Sequence, residues 1–299
     1  MRYVCLVALT LAFGLGLASC NGVETPAEPG SGGSPVGSGG AAAGGSGGAS
    51  TGGRAAGGTA TGGQASGGAG AFNPCPAAGT ACIVMPLGDS ITDGVGSASP
   101  GGGYRVPLFQ TTVNNGQLIT FVGRNANGPT TVAGKTFPRN HEGYSGYTID
   151  PGGGRQGISP LVDAALSQFH PHIVLLMIGT NDVNLSLDLT NAPARLGALL
   201  DRITTDAPSA LLVVAQLVPT TNDTTNARVR TYNGAIPGLV QPRAEAGKHV
   251  VMVDMYAAFT ANTSYKTALM SDELHPNNAG YSVMAQTWYQ AIGAYLPAG

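Results

Sequence analysis

The segment MPLGDSITDG, residues 85–94, joins an apolar run to a polar turn. The run starts at Cys82, stops at Gly88 and is followed at once by Asp89 and Ser90. It is continuously apolar rather than alternating, which indicates a parallel strand covered on both faces. In open α/β sheets, ligands bind beyond the carboxyl ends of the strands. The sequence therefore places Ser90 at the edge of the sheet where reactive groups gather.

Four further apolar runs have the same character and predict the rest of the sheet. They span residues 119–124, 172–179, 210–217 and 250–255. Helical patterns lie between or after them, at 158–169, 191–206 and 277–296. Alternation of strands and helices is typical of a parallel sheet between two helical layers. We therefore expect an α/β domain built on a five-stranded parallel sheet.

The chain divides into three parts by composition. Residues 1–20 have an early Arg, a short apolar core and a small-residue end, as a secretory signal does. Their end, LASC, resembles a lipobox and predicts lipidation at Cys20; ordinary cleavage that leaves a thiol is the alternative. Residues 21–73 are almost all Gly, Ala, Ser and Thr and predict a flexible linker with a span of roughly 40 Å. Residues 74–299 have the length of one domain.

Charge and cysteine content restrict the function classes. The formal net charge is −2 and only 10% of residues are charged, so nucleic acid is not an expected partner. Of the four cysteines, Cys5 and Cys20 fall in the signal. The remaining pair, Cys75 and Cys82, predicts a disulfide in an oxidising compartment. A zinc site is less favoured, because no His or third Cys lies nearby in the sequence.

A serine nucleophile needs a base, usually a His oriented by a carboxylate. His275 follows the fifth predicted strand, and Asp272 lies three residues before His275. This position favours the pair as base and orienting acid for Ser90, although an Asp that caps a local turn beside an exposed His would give the same pattern. His141, in a loop, is a weaker candidate. The other histidines precede strands and are expected to be structural.

Ester chemistry at Ser90 also needs hydrogen-bond donors for the developing oxyanion. The backbone N–H of Ser90 and the side-chain amide of Asn181, at the end of the third strand, are candidates. A glycine in NHEGYSGYT, either Gly143 or Gly146, could bring another N–H close. Each of these residues alone could equally be explained by turn geometry.

Four blocks stand in one order: GDSIT at 88–92, HEGYSGYTI at 141–149, IGTND at 178–182 and DELHP at 272–276. Together they resemble the SGNH, or GDSL, hydrolases. The resemblance implies a three-layer α/β/α, flavodoxin-like fold and a serine ester hydrolase without cofactor or metal. The site residues it implies are a catalytic triad of Ser90, His275 and Asp272 and an oxyanion hole of Ser90, Gly146 and Asn181.

The flanking segments GGYRVPLF, LLMIGTND and LHPNNAGY are most similar to carbohydrate esterase family 3, whose members include acetylxylan esterases. This similarity implies removal of acetyl groups from polysaccharide. Possible substrate contacts are Tyr144, Arg105 and Arg155, whereas Asp89 and Asp182 are expected to brace loops. We expect a monomer that is secreted or lies in the cell envelope and touches the membrane only through its lipid anchor. Asn21 follows Cys20 where an Asp would favour the inner membrane, so the outer membrane is the expected location.

Two other functions remain open at this point. A GDSL lipase, lysophospholipase or thioesterase would use the same chemistry on an acyl chain, but the polar, Gly-rich loops favour a hydrophilic site. A surface domain that binds carbohydrate without catalysis is less favoured, because every residue type of the triad and oxyanion hole is present.

Overall fold

A mostly parallel sheet organises residues 72–299, the part of the chain that the computed structural model describes. The predicted signal peptide, Cys20 and nearly all of the predicted linker lie outside these residues. The strands are β1 (Cys82–Gly88), β2 (Ile119–Phe121), β3 (Asn125–Ala126), β4 (Thr131–Val132), β5 (Lys135–Thr136), β6 (Asn140–Gly143), β7 (Ile173–Met177), β8 (Leu211–Ala215) and β9 (Val250–Val253).

The main sheet has the order β3-β6-β1-β7-β8-β9, with β2 also paired to β1. The five predicted strands, β1, β2, β7, β8 and β9, are present and parallel. β2 pairs with the start of β1, whereas β6 pairs in parallel with its end, and β3 is antiparallel to β6. This sheet therefore has seven strands within the described residues, not five. The two unpredicted strands are short and polar, so periodicity does not reveal them.

Helices cover both faces of the sheet. They are α1 (Ser90–Asp93), α2 (Arg105–Asn114), α3 (Val162–Phe169), α4 (Thr180–Asn184), α5 (Ala192–Asp206), α6 (Asp223–Glu245), α7 (Met255–Thr260), α8 (Tyr265–Ala268) and α9 (Asn278–Ile292). Helices α2, α7 and α9 pack together, and α3, α5 and α6 form a second group. Every residue of β7 and β8 is buried, as strands between two helical layers must be. The predicted α/β/α fold is confirmed.

Helix α6 is the longest helix in the described part of the chain, but its sequence does not predict a helix. Pro237 and Pro242 lie inside it, and a proline removes the N–H that would bond the carbonyl four residues earlier. The carbonyl of Asn233, left free by Pro237, accepts a hydrogen bond from Gln216 Nε2 at 3.4 Å. Asn222 begins the helix by accepting from Thr225 N–H. A tertiary contact thus replaces the helical hydrogen bond that Pro237 removes.

The residues that precede β1 pack at the edge of the sheet where the parallel strands begin. Cys75 and Cys82 form the predicted disulfide at the start of β1. Phe72, which lies within the predicted linker, stacks on His249 just before β9, with ring centroids 3.5 Å apart. The folded unit therefore includes at least Phe72. None of the helices within residues 72–299 combines the length and the apolar character that crossing a bilayer requires.

Candidate active site

The register of the sheet brings three predicted blocks to its carboxyl edge. Gly88, the last residue of β1, pairs with Gly143 of β6 on one side and with Met177 of β7 on the other. The residues that follow these strand ends carry the candidate groups, Ser90 and Asn181 among them. Neighbouring parallel strands end at the same edge, so the blocks converge although they are distant in sequence.

Ser90 is the first residue of the short helix α1. Asp89 caps this helix, because its Oδ1 accepts the N–H of Ile91 at 3.0 Å. Gly94 ends the helix with φ +104°, a conformation that favours glycine. The N–H of Ser90 has no acceptor among the described residues, as expected at the first position of a helix. Ser90 is thus held at a tight strand-to-helix turn with its N–H available.

Ser90, His275 and Asp272 form a continuous hydrogen-bonded chain. Ser90 Oγ lies 2.9 Å from His275 Nε2, and His275 Nδ1 lies 2.8 Å from Asp272 Oδ2. A carboxylate oxygen accepts from Nδ1–H, which leaves Nε2 free to accept the Ser90 proton. Burial alone would raise the pKa of Asp272, but hydrogen bonds from the N–H groups of Leu274 and His275 and from the ring lower it. It remains ionised.

The loop that carries His275 is closed by backbone contacts. Ser271 N–H donates to the His275 carbonyl at 2.8 Å, and Thr221 N–H donates to the Glu273 carbonyl at 3.1 Å. Gly96 packs directly against this loop: a Cβ at Gly96 would lie 2.6 Å from the Pro276 carbonyl oxygen. The segment after α1 therefore requires a glycine here to let the His275 loop approach Ser90.

The structure distinguishes the two glycines that could serve as oxyanion donors. Gly143 N–H already donates to His141 Nδ1 at 3.1 Å. Gly146 N–H has no acceptor among the described residues, and its φ is +82°. The Asn181 amide donates one N–H to the Tyr147 carbonyl at 2.8 Å, which leaves its second N–H for another acceptor. Ser90, Gly146 and Asn181 thus carry the free donors, whereas Gly143 does not.

Two other candidates are excluded from direct chemistry by burial. The prediction that Arg105 contacts substrate is wrong, because its side chain is fully buried and donates to the carbonyls of Arg139 and Asp93. His141 is also buried, in β6, and its Nδ1 is occupied by the N–H of Gly143. Burial lowers the pKa of His141 to about 3, so the ring stays neutral. Both residues are structural.

Tyr144 and Arg155 lie on the same loop region as Gly146. Tyr144 stacks on Tyr147 at 5.1 Å and donates its hydroxyl to Glu142 Oε2 at 2.6 Å. Arg155 is exposed, and its Nη1 lies 3.2 Å from the position a Cβ would take on Gly146. Its side chain forms no ion pair within residues 72–299. Substrate contact by these two side chains stays a prediction.

Two side-chain contacts at the site were not predicted. Ser145 Oγ donates to Asp93 Oδ2 at 2.7 Å, and Asn127 Nδ2 donates to Asp93 Oδ1 at 2.6 Å. The position of Asp93, three residues after Ser90, is the only sequence signal for them. Among the described residues no three His, Cys, Asp or Glu side chains converge as metal ligands would.

The two aspartates expected to brace loops do so. Asp89 accepts from Ile91 N–H, and Asp182 Oδ2 accepts from Ile149 N–H at 3.0 Å while its Oδ1 pairs with Arg195. Burial raises the pKa of Asp89 to about 6, an effect that the Ile91 hydrogen bond opposes. Asp89 is therefore neutral in the folded protein below about pH 6 and charged above it.

Replacing Asp89 should change how stability depends on pH. Because folding raises its pKa from 3.8 to about 6, the neutral form is favoured by folding. The stability that the neutral Asp89 carboxyl contributes is complete below pH 3.8 and is lost as the pH rises through about 6. This loss lowers the free energy of unfolding by about 3 kcal/mol. Asp89→Asn keeps an oxygen for Ile91 N–H and should gain roughly 1–3 kcal/mol relative to wild type at pH 8, but little at pH 4.

Urea unfolding at pH 4, 6 and 8 measures this difference. The exposed Asp206, changed to Asn, serves as a control that removes a carboxylate outside the site. A stability difference between Asp89→Asn and wild type that is the same at all three pH values would contradict the prediction.

Comparison with known proteins identifies a matching family and similar solved structures. Residues 87–283 match the profile of the GDSL-like lipase/acylhydrolase family. The family 3 carbohydrate esterase of Clostridium thermocellum is 32% identical, with a TM-score of 0.61 over 72% of this chain and 98% of that one. A carbohydrate esterase family 3 structure from Talaromyces cellulolyticus is 26% identical, with a TM-score of 0.58 over 72% and 98%.

One curated relative is much longer than the region that it shares with this chain. The multidomain esterase of Ruminococcus flavefaciens is 32% identical over 243 residues, which cover 74% of this chain. The matched region is only 30% of that relative, so this chain corresponds to less than a third of its length.

Proposed function

We propose that this chain, which belongs to the GDSL-like lipase/acylhydrolase family of ester hydrolases, removes O-acetyl groups from carbohydrate through an acetyl-Ser90 intermediate. The observation that carries the chemistry is the hydrogen-bonded chain from Ser90 Oγ through His275 to Asp272. It supplies a nucleophile, a base with a free acceptor nitrogen and an anion that stabilises the imidazolium.

In the first half of the reaction, Ser90 Oγ attacks the acetyl carbonyl carbon while His275 Nε2 takes the hydroxyl proton. The carbonyl oxygen becomes an oxyanion that accepts hydrogen bonds from the N–H groups of Ser90 and Gly146 and from the Asn181 amide. As the tetrahedral intermediate collapses, the bond to the sugar oxygen breaks, and His275 returns its proton to that oxygen. The sugar leaves as an alcohol, and the acetyl group stays on Ser90.

In the second half, water replaces the sugar. His275 takes a proton from the water as its oxygen attacks the acetyl carbonyl, and the same donors hold the second oxyanion. The bond to Ser90 Oγ then breaks, and the proton on His275 restores the serine hydroxyl. Acetate is released, and no cofactor is consumed.

The substrate class is supported by similarity and by the surroundings of Ser90. Two solved structures that share 26–32% of their residues with this chain are named as family 3 carbohydrate esterases. The segments on either side of the site, residues 94–103 and 150–157, are rich in Gly and polar residues. A surface of this kind suits a hydrated sugar better than a long acyl chain, which would need an apolar slot.

The test is acetate release from acetylated xylan and from other acetylated glycans, together with hydrolysis of p-nitrophenyl acetate and octanoate. We expect release from at least one glycan and a preference of at least about tenfold for the acetyl ester. Strong preference for octanoate with no release from any glycan would favour a lipase or thioesterase and would overturn the carbohydrate proposal. A domain that only binds carbohydrate would hydrolyse neither ester.

A further inference from the structure

We infer that the hydrogen bond from Ser145 to Asp93 positions the N–H of Gly146 as an oxyanion donor. Ser145 and Asp93 are then positioning residues for the reaction. Ser145 Oγ donates to Asp93 Oδ2 at 2.7 Å. Ser145 directly precedes Gly146, and Asp93 is the last residue of α1, the helix that Ser90 begins. The contact thus joins the loop of one oxyanion donor to the helix of the nucleophile. This inference rests on the proposed function, because it concerns an oxyanion hole for ester hydrolysis.

The Asp93 carboxylate is fixed in direction by the residues behind it. Asn127 Nδ2 donates to Asp93 Oδ1 at 2.6 Å and to the Asp93 carbonyl at 2.9 Å. The fully buried Arg105 donates to Asn127 Oδ1 and, at 3.3 Å, to the Asp93 carbonyl. His141 Nε2 faces Asp93 Oδ1 at 3.6 Å. With Oδ1 occupied in this way, Oδ2 presents a fixed acceptor to the loop.

The Gly146 peptide is also held from its other side. The Tyr147 carbonyl accepts the Asn181 amide at 2.8 Å, and Tyr147 N–H donates to the Tyr144 carbonyl at 3.1 Å. Gly146 therefore lies between two attachments, one through Ser145 to the Ser90 helix and one through Tyr147 to the third oxyanion donor. Its φ of +82° is a conformation that glycine adopts without strain. Losing the Ser145 attachment would leave the position of the Gly146 N–H controlled from one side only.

The stability of the folded protein depends little on this hydrogen bond. Ser145 is exposed, and the Asp93 side chain is 28% exposed, so water can replace either partner. Although one partner is charged, a contact that is open to water in this way contributes little to net stability. An oxyanion donor, in contrast, must lie within a few tenths of an ångström of its ideal position to act fully. The loss of the Ser145 hydroxyl should therefore appear in kcat rather than in the unfolding temperature.

The experiment compares Ser145→Ala and Ser145→Thr with wild type on p-nitrophenyl acetate. Removing an oxyanion donor costs about 10²–10³ in kcat, so displacing one should cost less, roughly tenfold, for Ser145→Ala. KM should stay within about twofold, and Ser145→Thr, which keeps a hydroxyl, should retain most of kcat. Inactivation by a phosphonate, whose oxygen occupies the same hole, should slow by the same factor as kcat. Ser167→Ala, on an exposed face of α3, is the matched control.

Several outcomes would overturn the inference: kcat of Ser145→Ala within twofold of wild type, an equal loss in Ser145→Thr, or a loss confined to KM. A fall in unfolding temperature large enough to account for the lost activity would also overturn it. Failure of the carbohydrate proposal is distinguishable, because the wild type would then hydrolyse p-nitrophenyl acetate but release no acetate from glycans. A wild type inert toward both the ester and the phosphonate would overturn both proposals.

Discussion

Ser90→Ala is expected to lower kcat/KM for p-nitrophenyl acetate by about 10⁴–10⁶-fold, as removal of a serine nucleophile does in hydrolases with a triad. The variant loses Oγ and therefore cannot form the covalent intermediate, whereas the donors of Gly146 and Asn181 remain. The fold should tolerate the change, since the helix cap is made by Asp89 and the Ser90 N–H is retained. Steady-state kinetics and circular dichroism of the same preparation measure both effects.

Covalent labelling provides an independent test of Ser90. A fluorophosphonate should attach to wild type at Ser90 and to Ser167→Ala equally, but not to Ser90→Ala. Acetate release from an acetylated glycan should be lost in parallel. Normal turnover by Ser90→Ala, or labelling of another serine in the wild type, would contradict the assignment of the nucleophile.

Asp272→Asn is expected to lower kcat by about 10³–10⁴-fold without unfolding the protein. Asp272 Oδ1 accepts the N–H groups of Leu274 and His275 at 2.8 Å each, and Asn retains an oxygen for them. Its amide nitrogen, however, cannot accept the proton on His275 Nδ1. The ring then favours the tautomer with its proton on Nε2, which cannot take the proton of Ser90.

Glu273→Gln is the matched control for Asp272→Asn. Glu273 lies beside Asp272 on the same exposed loop, and its backbone carbonyl, not its side chain, makes the contact to Thr221. The control removes one negative charge near His275 but leaves the hydrogen bonds of the ring intact. Equal losses in the two variants would show that net charge near the ring, rather than its orientation, is what Asp272 provides. Activity of Asp272→Asn near that of wild type would contradict an orienting role.

The sequence predicts the elements whose signal is local. The apolar runs of β1, β7 and β8 are continuous, and a strand covered on both faces must have that composition. Asp272 and His275 are three residues apart, so their contact depends on one short loop. The order of blocks along the chain, combined with the rule that parallel strands end at one edge, is enough to bring Ser90 and Asn181 to the same part of the molecule.

Features set by distant residues could not be predicted. Arg105 looks like an exposed substrate ligand in the sequence, yet the carbonyls of Arg139 and Asp93 and the side chain of Asn127 enclose it. The sequence does not predict helix α6, because Pro237 and Pro242 interrupt its pattern and the contact from Gln216 that compensates for Pro237 is tertiary. Strands β3 and β6 exist only because they pair with each other and, for β6, with the end of β1.

The stacking of Phe72 on His249 places the entry of the chain at the edge of the sheet opposite Ser90. Phe72 packs at the edge where the parallel strands begin, and Ser90 follows the edge where they end; the seven residues of β1 separate the two by about 20 Å. A pull or a support applied through the preceding chain therefore acts on the side of the domain away from Ser90. A bead or partner protein attached ahead of Phe72 should therefore leave the edge that carries Ser90 accessible.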